Sequence, residues 1–225
     1  MRPFKIAGML FVLAMAISAF ASTAAFALPE FLDHVPSTFT ATGANPELVD
    51  PATKLKINCE KLTITLPNGK LTSSTTIEGV IDFEQCKENA GFAITSLGDK
   101  SDTTAPKLGL ILAPFKGVTC YIGEVVNKEA GIFFTIPPLH LEVPVAATLL
   151  EIVSNPSSTV VGLITPNNKL QTGPYTLTTN KIKQECDGKK AQLLMDIEHL
   201  NKPLVVEEIA TATITMDEDE ELMVV

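Results

Sequence analysis

Lys54-Leu55-Lys56-Ile57-Asn58-Cys59, followed after Glu60 by Lys61-Leu62-Thr63-Ile64-Thr65-Leu66, sets an apolar side chain at every second position. A period of two marks a strand with one face on a core and the other in water, because successive side chains of a strand point to opposite faces. The alternation returns where Ile77, Ile81 and Phe83 stand against Glu78, Asp82 and Glu84. Threonine is frequent in these runs, and its branched side chain suits a pleated surface. Turn chemistry separates the runs. Asn68-Gly69 between Leu66 and Leu71, and Asp187-Gly188 between Cys186 and Lys189, each predict a two-residue hairpin. Pro166-Asn167-Asn168 predicts a third turn. Fifteen prolines spread along the chain leave little room for long helices. Residues 146–153 could make one or two helical turns and are read here as a strand. The expected fold is all-β, an antiparallel sandwich or a barrel-like double sheet.

Residues 131–153 are the most apolar part of the chain beyond its first residues. Three prolines and Glu142 argue against a membrane span, so the stretch predicts buried central strands; a partner-binding patch is the other reading of so apolar a run. An internal echo links the two ends of this pattern. Ile64-Thr65-Leu66-Pro67-Asn68-Gly69-Lys70-Leu71 leads through a Thr-rich strand to Gln85-Cys86, and Ile164-Thr165-Pro166-Asn167-Asn168-Lys169-Leu170 leads to Glu185-Cys186. The echo raises the expectation of two similar halves, about 37–125 and 126–216, within one β domain spanning 28–216.

The first residues read differently. Arg2 and Lys5 precede an apolar run over residues 6–20, and Ala25-Phe26-Ala27 closes it with small residues at the two positions that a signal peptidase reads. This is the layout of a secretory signal peptide over residues 1–27, with cleavage expected before Leu28 and a secreted or cell-envelope product. Removing the first 27 of the 225 residues leaves 198, enough to bury about 70% of the unfolded surface around one core. It also takes away Arg2 and Lys5, leaving 15 basic against 26 acidic residues, or −11, from −9 for the full chain. Neutralising phosphates needs Lys and Arg on the surface, so nucleic acid is an unsuitable partner.

Cys59, Cys86, Cys120 and Cys186 remain, an even number in a chain read as exported, which points to two disulfides. Zinc sites usually hold ligands only a few residues apart, and these spacings are far wider. Of the three connectivities, Cys59–Cys86 with Cys120–Cys186 agrees best with two halves. The first pair would close the chain around the Asn68-Gly69 turn. The second would tie the apolar strands of the other half around their own core.

Signals for chemistry are sparse. His34, His140 and His199 have no acidic or nucleophilic neighbour at a catalytic spacing, and His140, between Leu139 and Leu141, is expected on an outer strand face. Asp82 and Glu84 share a strand face about 6–7 Å apart, a carboxylate pair of the kind that glycoside hydrolysis uses, but the same spacing arises on any solvated acidic face. The terminal run Asp217-Glu218-Asp219-Glu220-Glu221 forms an acidic tail over 217–225, with Asp217, Asp219 and Glu221 as candidate calcium ligands. No cofactor and no catalytic residue is expected.

Leu28-Pro29-Glu30-Phe31, Phe39-Thr40-Ala41-Thr42-Gly43, the early Cys59, Gly109-Leu110 and Val161-Gly162 resemble a group of uncharacterised secreted β-rich proteins from actinobacteria. The resemblance implies export and β structure and carries no activity. The expected function is therefore non-enzymatic, binding an extracellular protein or glycan, or scaffolding, through sheet surfaces. The alternative is a secreted hydrolase whose site is assembled only in three dimensions.

Overall fold

The computed structural model of the chain describes residues 28–32, 36–96, 108–123, 128–143, 148–152, 158–166, 174–179, 184–197, 204–217 and 221–223. Along them run β1 (Glu30–Leu32), β2 (Ser37–Ala44), β3 (Glu47–Val49), β4 (Lys56–Asn58), β5 (Lys61–Ser73), β6 (Thr76–Glu84), β7 (Lys87–Glu88) and β8 (Thr95–Ser96). Then come β9 (Ile111–Ile122), β10 (Glu129–Ile136), β11 (Leu139–Val143), β12 (Thr148–Ile152), β13 (Ser158–Thr165) and β14 (Tyr175–Thr178). The series ends with β15 (Glu185–Cys186), β16 (Lys189–Lys190), β17 (Leu193–Ile197), β18 (Leu204–Ile209), β19 (Thr211–Met216) and β20 (Glu221–Met223). The protein is all-β, as the period of two requires, and residues 148–152 of the helix-or-strand segment are strand β12.

Eight strands close an antiparallel barrel in the order β10-β13-β14-β19-β2-β5-β6-β9. Eight shorter ones form a second antiparallel sheet, β7-β4-β3-β18-β17-β12-β11-β8. The two orders run in step. β2 continues into β3 through Asn45-Pro46, β4 into β5 through Cys59-Glu60, and β6 into β7 through Gln85-Cys86. β10 likewise passes into β11 through Pro137-Pro138, and β18 into β19 through Ala210. The second sheet is thus stacked on the end of the barrel, and its two end strands lie on one hairpin where Lys87 pairs with Ala93 and Ile94 donates to the Cys86 carbonyl. The chain bends at this waist where its residues allow it. Asn45 (φ 51°) and Gln85 (φ 56°) take the left-handed conformation, and prolines interrupt the ladder because they have no N–H to donate. Backbone bonds still cross the waist, among them Cys59 to Pro46, Glu60 to Glu84, Cys86 to Gly109 and Thr179 to Ala210, each 2.8–3.0 Å.

Residues 37–122 visit barrel, second sheet, second sheet, barrel, and then repeat that route once. Residues 129–216 follow the same itinerary, except that the β15–β16 hairpin is inserted between β14 and β17.

Two sequence expectations need correction. Asn68-Gly69 makes no hairpin: β5 runs through it to Ser73, and the reversal comes at Ser74-Thr75. Both neighbours, β2 and β6, pair with β5 on either side of residues 65–68, so the chain arches out there as an exposed bulge and rejoins the ladder. Pro67 could not have donated to that ladder in any case. Gly69 is required where the strand resumes, since a Cβ there would stand 2.4 Å from the Phe39 carbonyl oxygen. The second disulfide also acts differently from expectation. Cys120 is in β9 and Cys186 in β15, so the bond pins the outer β15–β16 hairpin against the barrel wall instead of tying one half around its own core. Asp187 reinforces this docking, its N–H donating to the Tyr121 carbonyl and its Oδ1 accepting from the Tyr121 N–H at 3.1 Å. Cys59–Cys86 staples adjacent strands at the waist, with Cα atoms 3.9 Å apart. The Asp187-Gly188 turn forms as read, with φ 48° and 73° at its two residues; Asn167 and Asn168 lie outside the described residues.

The inner faces carry the core: Phe39, Ile64, Leu71, Ile77, Ile132 and Ile164 in the barrel, Ile57, Leu141 and Met195 in the second sheet. The barrel end away from the waist is capped by β1 paired with β20. Phe31 meets Tyr175 edge to face at 6.1 Å, and the Tyr175 hydroxyl accepts from the buried Leu222 N–H at 3.0 Å.

Candidate functional site

Toward the waist the inner wall of the barrel carries small side chains, Ala41, Ala113 and Ala212, which leave the interior unfilled. Two apolar cavities result. One of about 60 Å³ lies inside the barrel between Phe39, Ile64, Phe115 and Phe134. The other, of about 70 Å³, lies under the second sheet between Leu48, Ile57, Leu139 and Leu141. Phe83, Ala113, Ile136 and Glu208 line both, so the cavities are neighbours across the waist.

Glu208 is the exceptional side chain of this lining. In β18, Val205 and Glu207 are exposed while Val206 is buried, so the even-numbered residues face inward. Register agrees: Glu208 pairs with Leu48, and residues directly opposite each other in an antiparallel pair share a face. Glu208 is half-buried. Among the described residues nothing donates to its carboxylate or pairs with it. Burial, which penalises the charged form, pushes its pKa from 4.5 up to about 7. The second carboxylate at the lower cavity, Glu47, is held at 2.5 Å by the Lys56 ammonium.

A third hollow of about 440 Å³ lies outside Glu208, bordered by Thr159, Gln184, Gln192, Leu193, Val205 and Glu207. It exists because the chain leaves the ring after β14 to build the β15–β16 hairpin and returns only at β17. Side chains bridge the break. Gln184 imitates a strand, accepting from the Val161 N–H at 2.8 Å and donating to the Val161 carbonyl at 3.1 Å. The Thr179 hydroxyl donates to the Glu208 carbonyl at 3.0 Å and accepts from the Ala210 N–H at 2.9 Å. Glu208 alone among the described residues lines all three spaces. It stands where the two apolar cavities and the larger, more polar hollow come together.

The sequence reading did not single out Glu208. Its signal was present, because stepping back by twos from Ile214 through Ala212 and Ala210 puts residue 208 on the inward face. The neighbouring Glu207 disguised it as part of a solvated pair. The residues that were singled out do not converge. Asp82 and Glu84 lie on the outer face of β6, where burial beside the strand and then the charge of Glu84 raise the Asp82 pKa, and Lys61 stands 4.0 Å from Glu84. His140 is exposed on β11, in register with Glu151; His34 and His199 lie outside the described residues. Asp217 takes a 3.2 Å hydrogen bond from Thr38, Glu221 is placed as part of β20, and Asp219 lies outside the described residues. Among the described residues no three His, Cys, Asp or Glu side chains gather as metal ligands, and no helix is long and apolar enough to cross a membrane. No family model matches the chain, and neither does any curated protein or solved structure.

Proposed function

We propose that this chain is an exported, non-enzymatic binding protein whose site is the apolar interior at its waist, reached past Glu208, in place of the outer sheet surfaces expected from the sequence alone. The observation that carries the reading is a pair of largely apolar cavities that share the half-buried Glu208 in their lining, beside a larger hollow. Small-molecule sites have this composition: apolar walls and a few placed polar groups that fix orientation. An eight-stranded barrel is also just wide enough to hold one small ligand when its inner side chains are small. Export is supported by the basic start, apolar run and Ala25-Phe26-Ala27 of the leader, and by two disulfides, which persist in oxidising compartments.

Xenon tests the reading, because it enters dry apolar cavities without needing a polar partner. Xenon NMR of the purified protein should show a bound population that disappears in Ala113→Leu, whose larger side chain fills the wall shared by both cavities. A protein that takes up no xenon, or an Ala113→Leu variant that takes it up equally, would sink the proposal.

A further inference from the structure

We propose that the outer hollow bordered by β13, β17 and β18 is a saccharide site. The Gln192 amide and the carboxyl groups of Glu207 and Glu208 hydrogen-bond the sugar hydroxyls there, and an aliphatic wall takes the C–H face of the ring. This site is separate from the apolar interior at the waist and stands without it.

The hollow is held open by its own hydrogen bonds. Residues 129–216 follow the route of residues 37–122 except where the β15–β16 hairpin is inserted, and the hollow lies at that break. Side chains take over from the strand ladder. The Thr159 N–H donates to the Gln192 carbonyl at 2.9 Å, and Thr159 Oγ1 accepts from the Gln192 N–H at 3.0 Å. Gln184 grips Val161, and Thr179 grips the end of β18. The hairpin between Gln184 and Ala191, which both border the hollow, is fixed by Cys120–Cys186 and by Asp187 against Tyr121. Walls tied in this way are preformed, so a ligand does not have to order them. The volume of about 440 Å³ lies within the roughly 300–1,000 Å³ of small-molecule sites.

The groups left over define the ligand. Among the described residues none bonds to the Gln192 amide or to the carboxyl groups of Glu207 and Glu208. No basic side chain borders the hollow among those residues, so a phosphate or carboxylate would meet like charge without a counter-charge. A wholly apolar molecule would strip water from an amide and two carboxyl groups and return no hydrogen bond. A cation would gain little, because Glu207 is exposed and Glu208 half-buried, and ion pairs open to solvent contribute little. Sugar hydroxyls meet each need. They donate to carboxylates in charge-assisted hydrogen bonds and accept from the amide N–H. Glu208, its pKa raised by burial to about 7, bonds a hydroxyl either as acid or as carboxylate. The remaining wall is aliphatic, with Val205 exposed and Ala191, Leu193 and Ile209 beside it. Such a wall covers the C–H face of a pyranose.

The test is an NMR titration of the isotope-labelled, disulfide-intact protein at pH 7 with cellobiose, maltose and N,N′-diacetylchitobiose. Spermidine and inorganic phosphate serve as cationic and anionic comparators. At least one disaccharide should shift the amide signals of Gln192, Leu193 and residues 205–209 saturably, while phosphate leaves them unmoved. Glu207→Ala and Gln192→Ala, both at exposed side chains, should each weaken that sugar at least about threefold, the low end for one lost hydrogen bond. The rest of the spectrum should stay as in the wild type. No shift of these signals with any of the three sugars, or an affinity unchanged in the two variants, would overturn the saccharide assignment. Spermidine binding there more tightly than every sugar would overturn it too, and make the hollow a cation site. Xenon uptake reports on the interior alone, so either reading can fail without the other.

Discussion

Replacing Glu208 with glutamine should stabilise the protein at high pH and not at low pH. A folded-state pKa of about 7 against an ordinary 4.5 means that between those values the folded protein holds a proton that the unfolded chain has released. Stability therefore falls as pH rises through that window and levels off above it. At about 1.4 kcal/mol per tenfold change in proton affinity, the raised pKa corresponds to a loss on the order of 3 kcal/mol between pH 4 and pH 9. That figure is a ceiling, because Glu208 is only partly buried and solvent screens part of the penalty. Glutamine has nearly the same shape and does not titrate. It carries a pH-independent offset for its own buried amide, but it removes the sloping part. Urea unfolding of the wild type and Glu208→Gln at pH 4, 5, 6, 7, 8 and 9, with both disulfides intact, measures the difference directly. The expected difference is flat below pH 4.5, climbs by 1–3 kcal/mol across the window, and is flat again above about pH 7.5. A difference that does not change with pH would refute the burial of the carboxyl group. A climb in the opposite direction would mean that a cation is paired with it in the folded protein.

Removing the waist disulfide as Cys59→Ala with Cys86→Ala should cost up to about 3.5 kcal/mol in urea unfolding, from the entropy of a loop closed over 27 residues; an unchanged midpoint would mean that the strands are held there without it. Gly69→Ala should destabilise by roughly 1–3 kcal/mol, because the added methyl meets the Phe39 carbonyl at 2.4 Å and neither strand can retreat from its other neighbour. N-terminal sequencing of the exported protein should begin at Leu28, and a product that still carries Arg2 and Lys5 would contradict the leader reading.

The local grammar of this protein is written in its neighbouring residues. Alternation in Leu55-Lys56-Ile57 and Leu62-Thr63-Ile64 is a property of neighbouring residues, and so are the bend permitted by Asp187-Gly188 and the helix-breaking effect of so many prolines; strands and antiparallel pairing follow from those alone. Everything that depends on which strand lies beside which comes from the assembled fold. Asn68-Gly69 carries a hairpin signature, yet β2 and β6 both offer partners on its far side, so the strand continues and the signature is spent on a bulge. Cys120 and Cys186 pair because an inserted hairpin folds back onto β9, which no spacing encodes. The site belongs to the same class. A glutamate beside another glutamate looks like solvated surface until the second sheet is stacked on the barrel. Whether Glu208 faces open water or the cavities at the waist is settled only when β3, β17 and the barrel strands across the waist take their places, because burial depends on the barrel and the sheet stacked on it and not on β18 alone.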